Sequence, residues 1–174
     1  MNKIAIALSA ALSLGAIASA NAADATVNFT GKIEALTCKF TIGGSSTLSV
    51  DMPTISASSI NNGAPREKAF NLQLGDGTTK CADGTYTFTF KGANVNADGR
   101  LNNTVSSGDE AKGVELAIDA DGMPLNLATG DVTKVISGST GFTNIPMVAR
   151  YEQASGATAQ DGDFATAMEI FVSY

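Results

Sequence analysis

Short runs in which apolar and polar residues alternate recur along the chain, and they restrict its possible folds more than any other feature. The longest run lies near the N-terminus and covers the eleven residues 25–35. Its apolar and glycine positions are Ala25, Val27, Phe29, Gly31, Ile33 and Ala35. Because successive side chains of a strand point to opposite faces, this period of two predicts a β-strand with one buried face.

Shorter runs of the same kind follow, and turn-forming pairs separate them. The runs cover residues 70–74, 86–90, 114–118, 145–151 and 164–174. In the last run, one face of the predicted strand carries Phe164, Met168, Ile170, Val172 and Tyr174. The turn-forming pairs are Gly43-Gly44, Asn62-Gly63, Asp76-Gly77, Asp83-Gly84, Asp98-Gly99, Asp121-Gly122 and Asp161-Gly162. This pattern predicts a single all-β domain, an antiparallel sandwich, with loops at 53–65 and 102–112 that can carry a short helical turn.

The first 22 residues predict a secretory signal peptide. Lys3 supplies the positive charge, residues 4–18 form a short apolar stretch, and Ala20-Asn21-Ala22 places small residues where signal peptidase reads them. A membrane anchor is the alternative, but a spanning helix needs about 20 apolar residues. We therefore expect a soluble, exported mature chain that begins at Ala23.

The net charge of the mature chain argues against one class of binding partner. Without Lys3 the mature chain has 10 Lys and Arg residues against 17 Asp and Glu residues, a net charge of −7. Nucleic-acid binding needs a basic surface, so we expect no nucleic-acid partner.

Cys38 and Cys81 are the two cysteines, and an even pair in an exported protein predicts a disulfide. Two unpaired buried thiols are the alternative.

The sequence offers little for catalysis. It contains no histidine, so the usual general base of hydrolases and the imidazole ligands of zinc are missing. The candidate carboxylate pairs are Asp119 with Asp121 and Asp161 with Asp163. Both pairs stand next to glycine, where Asp commonly serves a turn. Residues 94–99 resemble the start of an EF-hand loop, but its twelfth position is Val105 instead of Glu. We predict no enzyme activity, no metal and no cofactor.

Several segments have a specific order and spacing. They are Val27-Asn-Phe-Thr-Gly-Lys-Ile33 followed by Cys38, residues 70–74 followed by Cys81, residues 86–92 ending in Phe-x-Gly, residues 113–119 with Asp121-Gly122, Ala149-Arg-Tyr151, and Gly162 twelve residues before Tyr174. With this arrangement, residues 23–174 resemble the type 1-like fimbrial pilins of the chaperone–usher pathway. The tyrosine of that family is usually penultimate, whereas here it is the last residue, which leaves its C-terminal contacts open.

The resemblance implies an incomplete immunoglobulin-like antiparallel β-sandwich, formed by residues 36–174 and completed by a donor strand from a neighbouring subunit. Residues 23–35 would be the donor extension, running into the first strand. Its groove-facing residues would be Ala25, Val27, Phe29, Gly31 and Ile33. The groove and the C-terminal motif read by chaperone and usher would include Gly162, Phe164, Met168, Ile170, Val172 and Tyr174.

The implied function is a structural subunit of a surface fimbria that polymerises by donor-strand exchange and supports adhesion. Its partners would be identical or related pilins, a periplasmic chaperone and an outer-membrane usher, met on the way through the periplasm to the cell surface. We favour a major shaft subunit over a minor or adaptor pilin. Two alternatives stay open: residues 23–35 as the first strand of a complete sandwich, and a secreted monomeric β-sandwich binding module. The absence of Trp disfavours a sugar-binding module.

Overall fold

The structure is a computed structural model, and it describes residues 38–45, 48–64 and 66–174. The predicted signal peptide, residues 1–22, and the predicted donor extension, residues 23–35, lie outside the described residues. The domain boundaries proposed at residues 22 and 35 therefore stay predictions.

The described residues form nine strands and one short helix. The strands are β1 (Phe40–Ile42), β2 (Glu67–Leu74), β3 (Gly84–Lys91), β4 (Leu101–Asn102), β5 (Val114–Ala120), β6 (Met123–Leu125), β7 (Asp131–Ile136), β8 (Thr143–Gln153) and β9 (Glu169–Ser173). The helix α1 (Ala57–Asn61) begins after Ser56, whose hydroxyl accepts a hydrogen bond from the backbone N–H of Ser59. No helix in this described part has the length and hydrophobicity needed to cross a membrane.

The strands pair into two antiparallel sheets. The first sheet has the order β1-β2-β8-β5-β4, and β6 pairs with β5 beyond β4. The second sheet has the order β7-β3-β9. Asp121 and Gly122 both have positive φ angles, 56° and 80°, and they form the two-residue turn between β5 and β6. The predicted all-β antiparallel sandwich is confirmed.

The core lies between the two sheets and follows from the alternation within each strand. In β3, Tyr86, Phe88 and Phe90 are at most 2% exposed, while the intervening threonines point outward. The first sheet contributes Leu72, Leu74, Leu116, Ile118, Ile145 and Met147. Since a fully buried side chain of this size contributes roughly 1.5–3 kcal/mol, these two inner faces supply most of the stabilising energy.

A disulfide between Cys38 and Cys81 joins the two sheets at one end of the sandwich. Cys38 precedes β1 of the first sheet, and Cys81 precedes β3 of the second. Both cysteines are buried in the main core. The predicted pairing is thus present.

The outer face of the first sheet carries a row of ion pairs. Glu115 is only 1% exposed, and it accepts hydrogen bonds from Arg100 and from the side-chain amide of Asn96. Arg100 also pairs with Glu152 at 2.7 Å, and Arg150 bridges Glu152 and Asp119. The hydrogen bond to Asp119 raises the pKa of Arg150 above its usual range. The predicted carboxylate pair is therefore split, because Asp119 holds an arginine of the sheet and Asp121 belongs to a turn.

The predicted elements differ from the observed ones at the start of the last strand and in the loop 102–112. The last strand begins at Glu169, whereas we predicted it from residue 164. Residues 164–168 keep the alternating exposure of a strand, but β3 ends at Lys91 and offers them no partner. The helical turn predicted within 53–65 is α1, while residues 102–112 contain no helical turn.

Candidate functional site

The strand β9 has one paired edge and one open edge. It pairs with β3 from Lys91↔Glu169 to Thr87↔Ser173, and no strand in the described ranges pairs with its other edge. Just before β9, the backbone of Ala165 bonds residues 103–104, and the carbonyl oxygen of Ala167 approaches Gly92, the residue after β3. Because N–H and C=O groups alternate sides along an extended chain, those of residues 164, 166, 168, 170 and 172 face the open edge.

An apolar groove lies along this open edge, with a volume of about 640 Å³. One wall is the segment 164–170 and the other wall is the extended segment 48–52. Phe40 and Ile42 of β1 also line it. The floor comes from the inner face of the first sheet and consists of Phe70, Leu101, Leu116, Ile118, Ala149 and Tyr151. The two sheets therefore fail to close over the core along one side.

The lining of the groove is almost entirely uncharged. Among its described residues, Asp51 alone carries a charge. Thr166 contributes a hydroxyl that is shielded from solvent and has no hydrogen-bond partner in the described structure. An unpaired strand edge above such an apolar floor favours an extended segment with alternating apolar side chains, because that segment satisfies both the backbone and the pockets.

The loop 159–163 fixes the start of the groove wall. The carboxylate of Asp161 accepts a hydrogen bond of 2.8 Å from the backbone N–H of Ala57, at the first turn of α1. Asn61 and Ala159 exchange two hydrogen bonds of 2.8 and 3.0 Å. Asp163 bonds the backbone of residues 109 and 111. These contacts hold the following residue, Phe164, at one end of the groove.

Aromatic contacts mark the two ends of the wall. Phe164 makes an edge-to-face contact with Tyr151, with ring centroids 5.2 Å apart, and burial raises the pKa of Tyr151. At the other end Tyr174 stacks on Tyr86 at 5.3 Å. The Tyr86 hydroxyl donates to the carbonyl of Ala82, and burial is the main cause of its raised pKa.

The structure places most of the predicted C-terminal motif at this groove. Phe164, Met168 and Ile170 line it, and Val172 packs against the core on the same face of β9. Gly162 lies in the loop just before the wall, and Tyr174 lies past the end of β9. The five predicted donor residues lie outside the described residues, so their role stays a prediction.

The sequence reasoning missed the opposite wall. Leu48, Val50 and Met52 alternate with Ser49 and Asp51, which is the same period-two signal over only five residues. Phe40 and Ile42 carried a similarly short signal. These runs are too short to be told apart from chance alternation, so the positions were not predicted.

The described residues give no support to a metal centre or an acid–base site. They contain no group of three or more His, Cys, Asp or Glu side chains placed to hold a metal ion. Asn96, in the segment that resembles an EF-hand start, uses its side-chain oxygen for the backbone N–H groups of Asp98 and Arg100. Asp161 serves the start of α1. The side chains of Asn96 and Asp161 thus accept hydrogen bonds from backbone N–H groups and stabilise local structure.

Comparison with known proteins gives consistent matches. The profile of a family described as fimbrial protein matches residues 27–174. A type-1 fimbrial protein subunit of Serratia marcescens is 33% identical over 171 residues, covering 87% of each chain. A major fimbrial subunit of Stenotrophomonas maltophilia is 28% identical over 167 residues, covering 89% of this chain and 95% of the relative.

Two solved structures share the fold. The P pilus rod subunit PapA has a TM-score of 0.61 at 17% identity, covering 79% of this chain and 99% of its own. A chain of a chaperone–usher pilus has a TM-score of 0.60 at 18% identity, covering 86% of this chain and 94% of its own.

Proposed function

Because this chain belongs to the family of fimbrial proteins and is a structural fimbrial subunit, we propose that it polymerises by inserting residues 23–35 into the groove of a neighbouring copy. Its fold is the incomplete immunoglobulin-like sandwich of pilus subunits. The observation that carries the proposal is the groove beside β9, which combines an open strand edge with an apolar floor.

The donor extension matches the groove in its alternating pattern. The wall, residues 164–170, is continued on the same face of β9 by Val172, which packs against the core. The donor positions 25–33 present five alternate residues to one side. A strand of nine residues spans about 30 Å, which is long enough to pair with the open edge along the wall.

The energetic gain comes from two sources. Val27, Phe29 and Ile33 each contribute roughly 1.5–3 kcal/mol when they leave water for the groove. The backbone groups of the open edge, which no strand among the described residues pairs with, gain partners along the inserted strand. Gly31 lacks a side chain and suits a place where the groove is shallow or the backbones come close.

An open apolar groove also requires protection before assembly. An exposed edge and apolar surface of this size promote aggregation, so we propose that a periplasmic chaperone covers the groove and an outer-membrane usher guides the exchange. The signal peptide at residues 1–22 would direct export to the periplasm. The finished fibre stands on the cell surface and supports adhesion.

The role within the fibre is proposed to be that of a major shaft subunit, with a minor or adaptor subunit as the alternative. Shaft and adaptor subunits both donate and accept, and this chain carries a donor-like segment and a groove. The shaft role is supported by the relative from Stenotrophomonas maltophilia, which is a major fimbrial subunit. The family is structural and not enzymatic. A secreted monomeric binding module would leave both features without use.

The proposal is tested by comparing the full chain with a variant that lacks residues 23–31. Each is expressed with its chaperone and usher, sheared from the cells, and run in SDS with and without boiling. We expect a ladder of multimers that boiling releases in the intact protein, and its absence in the deletion variant. Monomers alone in both samples, with normal export, would favour the secreted monomeric module.

A further inference from the structure

Asp51 is a charged residue at the rim of an otherwise uncharged groove. It stands between Val50 and Met52, whose side chains are half-buried, while Asp51 itself is exposed. Among the described residues Asp51 has neither a hydrogen-bond partner nor an ion-pair partner. Nothing in the subunit's own described structure accounts for a carboxylate at this point.

The position of Asp51 along the groove is defined by its neighbours. Met52 lines both the groove and a smaller cavity of about 220 Å³ beside α1, together with Tyr151 and Phe164. The opposite end of the groove is marked by Phe40, which contacts Phe88, the partner of Val172 in β9. Asp51 therefore lies at the Phe164 end.

The donor extension carries one basic residue, Lys32, next to the end of its alternating run. Lys32 stands between Gly31 and Ile33, so it faces solvent when they face the groove. We propose that Asp51 pairs with Lys32 of the incoming subunit and thereby sets the direction and register of the inserted strand. This inference rests on the proposed donor-strand assembly.

The pairing fits one direction of insertion. If Ile33 lies beside Phe164, the donor strand runs antiparallel to β9 and parallel to residues 48–52. Lys32 then stands level with Asp51, and Gly31 lies beside the branched side chain of Val50. Neighbouring strands lie about 4.8 Å apart, so a donor strand that pairs with residues 48–52 brings Lys32 within reach of an ion pair with Asp51.

The reverse direction loses the ion pair. With Ala25 beside Phe164, Thr26 would stand level with Asp51, and Lys32 would lie near the C-terminal end of β9. The acidic residues Asp24 and Glu34 flank the two ends of the run alike, so they do not distinguish the directions. Asp51 thus favours one direction by attracting Lys32.

The test uses full-length protein expressed with its chaperone and usher, in four forms: wild type, Asp51→Lys, Lys32→Asp and the double variant. The measured quantity is the half-life of purified multimers in SDS at a fixed temperature. Because an exposed pair is weak but its reversal creates repulsion, we expect each single variant to shorten the half-life by about two- to tenfold. The double variant restores it to within about twofold.

A control variant, Asp163→Lys, separates Asp51 from another exposed carboxylate at this end of the groove. We expect Lys32→Asp to be rescued by Asp51→Lys and not by Asp163→Lys. Equal half-lives in all four forms, or rescue by Asp163→Lys alone, would overturn the assignment to Asp51. Either result leaves donor-strand assembly intact, whereas the absence of multimers in the wild type would overturn that assembly itself.

Discussion

The backbone of Gly162 passes so close to residues 109–111 that a Cβ atom at this position would overlap the backbone of Glu110 and Ala111. Two hydrogen bonds between Asp163 and the same segment, of 2.7 and 2.8 Å, hold the two backbones together. Neither side can move away without breaking them. The close approach therefore explains why a residue without a side chain occupies position 162, in the loop that leads into the groove wall.

Replacement of Gly162 by alanine is expected to lower the free energy of unfolding by about 2–3 kcal/mol, because the added methyl group forces the two backbones apart. Urea denaturation of the purified mature protein measures the change. Gly156→Ala is the matched control, since Gly156 has a φ of 71° and open space around it. That control should cost about 1 kcal/mol. An equal loss in both variants would show that the close approach adds nothing.

Neighbouring side chains of β9 point to opposite faces, one towards the groove and the other towards the outer surface. Ile170 lines the groove, whereas Phe171 is 53% exposed on the opposite face. Any partner strand added at the open edge must cover Ile170 while leaving Phe171 on the outside. Substitutions at these adjacent positions therefore distinguish insertion into the groove from contact with the outer face.

We expect Ile170→Lys to reduce SDS-resistant multimers at least about tenfold, because it places a charge where the donor strand buries apolar side chains. Phe171→Lys, on the same strand, should leave the multimers near the wild-type level. Circular dichroism of both variants checks that the subunits fold. Multimers lost equally in both variants, or only with Phe171→Lys, would contradict assembly through the groove.

The sequence predicted the long strands better than the short ones. The runs at 70–74, 86–90, 114–118 and 145–151 lie within β2, β3, β5 and β8, since each alternates for at least five residues. The strands β1 and β6 have only three residues each and carry too little pattern. The strand β7 was missed because its polar and apolar residues do not follow the expected faces. Lys134 lies on the more buried face, opposite Tyr86, and pairs with Asp121 at 2.7 Å, while Val135 is 74% exposed.

The candidate site was predictable on one side only. The wall from Phe164 onward follows from alternation along the last run of the chain. The opposite wall, residues 48–52, belongs to the site because the fold brings it next to a segment more than 100 residues away. No local pattern contains that information, so the groove as a whole emerges only from the packing of the two sheets.

At the scale of the whole molecule, an open groove leaves the two sheets less firmly joined than in a complete sandwich. Among the described residues that line the groove, Ile170 of β9 is the one from a strand of the second sheet, whereas the floor comes from the first sheet. The Cys38–Cys81 disulfide joins the sheets covalently next to β1, whose residues Phe40 and Ile42 line the groove. We expect this bridge to hold the two sheets together where the second sheet supplies few contacts.

Removing the disulfide should therefore lower the thermal stability of the subunit. The bridge spans a sequence separation of 43 residues, and closing a loop of that length stabilises a fold by about 4 kcal/mol on the chain-entropy account. We expect the double variant Cys38→Ala with Cys81→Ala to melt about 8–16 °C lower than the wild type. Calorimetry of the mature protein measures the shift, and wild-type protein treated with a reductant should move towards the variant. A shift below about 3 °C in the double variant would mean that packing alone holds the sheets together, and that the open groove costs the subunit little of its cohesion.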